Sequence, residues 1–168
     1  MNPDETLEAR LERFWAEADE ESETELSATL ERILSEGAAS PERALFERAS
    51  LHDFLGQENA AIPLYRAALD SGLAPPHRTA AIIQLASSLR NVGDAASAIA
   101  LLRAVDEGDP LSAAAQAFLA LALYDHGASA HALSTALGAL APSLPAYQRS
   151  VSLYASALVS GADDLPQG

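Results

Sequence analysis

The chain has 168 residues, a length that suits one domain, and 49% of them are apolar while only 5% are aromatic, so its core must be built from small side chains. Its net charge is −14 without a single lysine, a balance that disfavours nucleic acid and anionic membrane surfaces. With no cysteine there is neither a disulfide nor a thiolate metal site.

Charge is unevenly spread: residues 1–58 hold sixteen acids and five arginines, residues 59–168 eight acids and five arginines. The acidic half reads as a solubilising face, with a docking site for a basic partner as the alternative. The N-terminus turns acidic at once, with no basic or apolar leader, so a cytoplasmic location is expected.

A first helix is predicted over about 4–18, capped by Asn2 or Asp4, with Leu7, Leu11, Phe14 and Trp15 along one stripe. Trp15 beside Phe14 is expected to fasten this helix to the helical repeats after it. Asp19-Glu20-Glu21 connects to a second helix, about 23–36, ended by Gly37. Ser40-Pro41 then starts a third, serine capping and proline suiting the first turn. Paired helices are predicted at 41–55 and 58–71, 76–91 and 95–106, and 111–126 and 129–140, with Asp94 and Ser129 as caps. Pro75-Pro76, Asp109-Pro110, Pro142 and Pro145 separate the units. A last helix is expected over 146–159 with Val151, Tyr154 and Leu158, and a disordered tail over 161–168.

Three segments align on glycine. Gly56, Gly93 and Gly127 lie 37 and 34 residues apart, each followed after five residues by an alanine (Ala61, Ala98, Ala132) and preceded by seven by another (Ala49, Ala86, Ala120). A period near 34 residues marks a helical-hairpin repeat, with each glycine at a helix end where a left-handed backbone is needed. A hairpin cannot bury its apolar face alone, so neighbours stack into one continuous core. Between Pro110 and Ala162 only Asp125 and Arg149 are fully charged. Prolines, glycines and serines interrupt that run, so it reads as soluble helices and not a membrane span.

These residues resemble the tetratricopeptide repeat. The middle unit carries Ile82, Leu85, Ala86, Leu89, Ala98, Leu102 and Pro110. The first carries Leu45, Ala49, Ala61, Tyr65 and Ala68, with Arg48 where leucine is expected. The third carries Leu119, Ala120, Leu123, Ala132 and Ala139, with Gln116 in place of a large residue. The run from Ile82 to Gly93 is also similar to small bacterial three-repeat members, and the alanine-rich composition, with arginine in place of lysine throughout, suits a GC-rich bacterial genome.

The resemblance implies an all-α, right-handed α-α superhelix. Its parts would be an acidic N-terminal helical pair as a cap (1–40), three repeats within 41–145 (41–74, 75–109, 110–144) and a C-terminal capping helix (146–160). It also implies a non-catalytic adaptor or scaffold that takes a peptide or helix in a concave groove. The groove residues would be Arg43, Phe46, Ser50, Asp53 and Phe54, then Ile83, Ser87, Arg90 and Asn91, then Ala117, Leu121, Tyr124 and Asp125. Arg90 and Asn91 would hold a carboxylate or backbone, and Phe46, Phe54 and Tyr124 would anchor an apolar side chain. Alternatively Phe46 and Phe54 pack on the N-terminal helices, and Arg90 pairs with Asp53 or Asp94. The lysine-and-asparagine clamp of some members is not reproduced, since no lysine occurs.

No catalytic constellation appears: there is no nucleophile elbow, phosphate loop or paired-carboxylate arrangement. His126 and His131 straddle Gly127 at a spacing unsuited to a shared metal, His52 reads as a packed histidine, and Glu8 and Glu12 sit on a charged helix face. Neither metal nor cofactor is expected. Two other functions stay open: a homo-oligomer, as a homodimer, burying the low-charge C-terminal half, and an enzyme or small-molecule sensor, which needs a deep pocket.

Overall fold

The computed structural model describes residues 5–20 and 22–160. Among these residues the chain is all-helical. The helices are α1 (Leu7–Glu17), α2 (Glu23–Glu36), α3 (Pro41–Phe54), α4 (Glu58–Asp70), α5 (His77–Asn91), α6 (Ala95–Arg103), α7 (Ser112–Asp125), α8 (Ser129–Leu140) and α9 (Gln148–Ser160). Short 3-10 turns come after α1 and α8. The chain forms two compact units, Met1–Ala81 and Ile82–Gly168.

Helix starts carry the repeat further than the glycines do. First helices begin at Leu7, Pro41, His77, Ser112 and Gln148, at steps of 34, 36, 35 and 36 residues. Second helices begin at Glu23, Glu58, Ala95 and Ser129, at steps of 35, 37 and 34. The acidic pair expected as a cap is thus set at the spacing of the repeat, and α9 falls where a further first helix would begin.

The hairpin glycines act as expected. Gly56, Gly93 and Gly127 have φ of +69°, +89° and +86°. At Gly93 the paired bonds of a Schellman ending are both present, Gly93 N to Arg90 O (3.0 Å) and Asp94 N to Leu89 O (2.8 Å). Gly72 ends α4 in the same way, at φ +87°. A Cβ at Gly93 would meet open space, so only the left-handed backbone demands glycine. Gly93→Ala is expected to cost about 1 kcal/mol. Gly138, inside α8 with open space around it, should behave oppositely, Gly138→Ala adding about 0.5–1 kcal/mol. Urea titration of the two variants beside the parent checks both signs.

The end of α2 divides these roles between two residues. Ala38 takes the left-handed position, at φ +49°. Gly37, at φ −82°, is needed for space, because its Cβ would lie 2.9 Å from the Ile33 carbonyl oxygen and 2.7 Å from Leu7 Cδ1. The α1 start therefore presses directly on the α2 end.

The helix caps match the sequence only in part. Ser40 accepts from Arg43 N and Asp94 from Ser97 N. Ser22 and Glu25 form a reciprocal capping box. The α1 cap is Thr6, which accepts from Ala9 N; the alternatives Asn2 and Asp4, like the tail 161–168, lie outside the described residues. Ser129 does not cap: it is the first residue of α8, and Ala128 before it offers no side-chain acceptor.

Within the first unit, Leu11, Phe14, Leu26, Leu30, Ile33 and Leu34 cluster with Ala44 and Leu51 of α3. Within the second, the repeat positions Leu85, Ala86, Leu89, Ala98, Leu102, Leu119, Ala120, Leu123 and Ala132 are buried. Alanine there lets backbones approach, which is how a chain poor in aromatics packs densely.

Candidate functional site

In the first unit, most side chains expected to face a partner are used internally. Arg43 is buried; its Nη1 and Nη2 donate to Glu8 Oε1 (2.8 Å) and Oε2 (3.0 Å), and its Nε to Glu47 Oε1 (2.8 Å). His77 Nε2 also lies against Arg43 Nη1. Trp15 Nε1 donates to the second Glu47 oxygen at 2.9 Å, and the Trp15 ring meets Phe14 and Phe54 edge-on. Trp15 therefore fastens α1 to α3, as the sequence suggested. Phe46 is buried against Tyr65 and His77. Ser50 donates to Phe46 O and accepts from the Tyr65 hydroxyl. Phe54 stays exposed.

These contacts set the electrostatics. The hydrogen bonds from Arg43 hold the Glu8 carboxyl below its ordinary range, outweighing the modest cost of burial. Desolvation, helped by the neighbouring Arg43 charge, pushes His77 down and favours its neutral ring. Burial drives the Tyr65 hydroxyl well up.

The second unit presents a different face. Ile83 is buried and Ser87 half-buried on α5. Arg90, at the end of α5, meets Asp125 at the end of α7, Nε to Oδ2 2.5 Å. The N–H is not aimed well enough for a hydrogen bond, so the contact is chiefly one of charge. Asn91 is exposed beside Arg90. On α7, Leu121 is 46% and Tyr124 65% exposed. An aliphatic and an aromatic side chain thus stand one turn apart next to an ion pair, on a single helix face.

Other candidates fall away on geometry. His52 is half-buried and bonded to Gln57 through Nδ1 (2.7 Å). His126 and His131 are both exposed. Among the described residues no three His, Asp or Glu side chains gather to hold a metal, and no helix is long and apolar enough to cross a membrane. A hollow of about 440 Å³ in the second unit is an open trough lined by Ser112, Gln116, Thr135 and Pro142, with Glu107 as its one acidic lining residue.

A sequence model of the tetratrico peptide repeat family matches residues 42–158. The chain belongs to the tetratricopeptide repeat family. Comparison with curated proteins and with solved structures gives no significant match. Tetratricopeptide repeats generally mediate protein–protein contacts and are typically non-catalytic. The family match runs through α9, in keeping with its place in the helix spacing. The irregular Arg48, standing where the repeat has leucine, pairs with Glu31 of α2 through Nε and Nη2, both at 2.6 Å. That departure from the repeat pattern therefore ties α2 to α3.

Proposed function

We propose that this tetratricopeptide protein is a non-catalytic interaction module that takes a peptide or helix on the α5–α7 face of its second unit. The observation that supports this reading is the exposure of Tyr124 and Leu121 beside the Arg90–Asp125 pair. Large aromatic side chains next to arginine are the composition of binding hot spots. The partner would place an apolar side chain against Tyr124 and Leu121, and present a carboxylate or backbone carbonyl to Arg90 and Asn91. Asp125 holds the Arg90 guanidinium in place beforehand, which reduces the ordering cost of binding. In the first unit Arg43 and Phe46 hold α1 and α4 to α3, so their contribution is to the scaffold, and Phe54 is the groove residue left exposed there.

Affinity capture from native extract, followed by titration of the captured protein, tests this. Tyr124→Ala and the Arg90→Ala/Asn91→Ala pair are each expected to weaken binding at least about tenfold. Unchanged binding in both variants would reject the α5–α7 face.

A further inference from the structure

We propose that the exposed face of α9 is the contact of a symmetric dimer. The observation is the contrast between the two sides of this helix: Leu153 and Tyr154 are 60% and 72% exposed, while the adjacent Ala155 is buried.

The exposed side chains form one stripe. Ser150, Leu153, Tyr154 and Ala157 stand at i, i+3, i+4 and i+7, the spacing of a single helix face. On the other side Ala155 is buried and Val151 and Leu158 are half-buried, and α9 packs on α8. The sequence pattern groups Tyr154 with Val151 and Leu158; the structure moves it to the free stripe.

Three features choose a second copy as the occupant. The stripe is self-complementary: about a two-fold axis between Leu153 and Tyr154, Ser150 faces Ala157 and Leu153 faces Tyr154. Small residues thus meet at the flanks and large ones at the centre, an isologous arrangement. The stripe also carries no acid, and Arg149 is the one full charge between Asp125 and Ser160. Two chains of net charge −14 can meet there without the repulsion they would encounter between their acidic halves. Lastly, the first unit of another copy offers α9 little to pair with, because Phe54 is the one large hydrophobic side chain exposed among its described residues.

Sedimentation analysis of the full chain from about 1 µM to about 1 mM should show the mass rising from 17.5 kDa towards its double. Leu153→Glu and Tyr154→Glu, both at exposed positions, should each raise the dissociation constant at least about tenfold by placing a carboxylate in the seam. Ser152→Glu, on the polar side of the same helix, should not change it. Because the chain has no cysteine, single Ser150→Cys and Ala157→Cys variants report the pairing directly. Under mild oxidation a mixture of the two should crosslink, and neither alone should. A monomer throughout the range, a dimer indifferent to both glutamates, or crosslinking of one cysteine variant with itself would overturn the proposal. It stands apart from the α5–α7 reading, since Tyr154→Glu should leave partner capture intact.

Discussion

Glu47→Ala should destabilise the first unit by about 3–5 kcal/mol, a large part of the roughly 5–15 kcal/mol available to a domain. The Glu47 side chain is only 3% exposed. One of its oxygens accepts from Arg43 Nε and the other from Trp15 Nε1. Alanine removes both acceptors at once. The Trp15 N–H and the Arg43 N–H would then be left with no acceptor in place of Glu47, and an unmatched polar group costs more than its bond contributed. Glu8 cannot take over: it already receives both Arg43 Nη groups and is half-exposed. Glu47→Gln keeps the size and one acceptor, so its loss should be smaller. Combining Arg43→Met with Glu47→Leu should cost less than the sum of the two single changes, because the buried charge goes with its partner. Chemical denaturation tracked by Trp15 fluorescence measures all of these at the affected contact. A Glu47→Ala variant within about 0.5 kcal/mol of the parent would show that this network does not hold α1 on α3.

Tyr65→Ala is expected to lose a similar amount, about 3–5 kcal/mol, for an unrelated reason. Tyr65 is fully buried in α4, at the aromatic position of the first repeat, and its ring lies 6.2 Å from that of Phe46. Truncation leaves a cavity that rigid helices on either side cannot close. The hydroxyl contributes far less, since its bond to Ser50 Oγ is long, 3.4 Å. Tyr65→Phe should therefore cost only about 1 kcal/mol. Thermal melting of the two variants separates packing from hydrogen bonding, and equal losses would assign the effect to the hydroxyl.

The parts of this fold legible in sequence are those enforced by backbone chemistry. Gly56, Gly93 and Gly127 are readable because a left-handed helix ending tolerates few other residues. Ser40 and Asp94 are readable because a helix start needs an acceptor. The α2 end is only half legible: Gly37 marks it, but Ala38 carries the left-handed turn, and a close approach by Leu7 leaves no signature in local sequence. The long-range contact of the Arg43–Glu8–Glu47 group and the Arg90–Asp125 pair each join residues 35 positions apart. Charge counts cannot choose among the many acids available for such pairs. One sequence signal is there to use: Gly161 lies 34 residues after Gly127, which repeats the glycine spacing and marks α9 as a further first helix.

The most direct test of the interaction reading is hydrogen exchange on the full chain, with and without the captured partner. Slowed exchange is expected in residues 82–91 and in α7, with Tyr124→Ala abolishing it. Protection confined to α1 and α2, with α7 unchanged, would contradict the account and move recognition to the acidic helices.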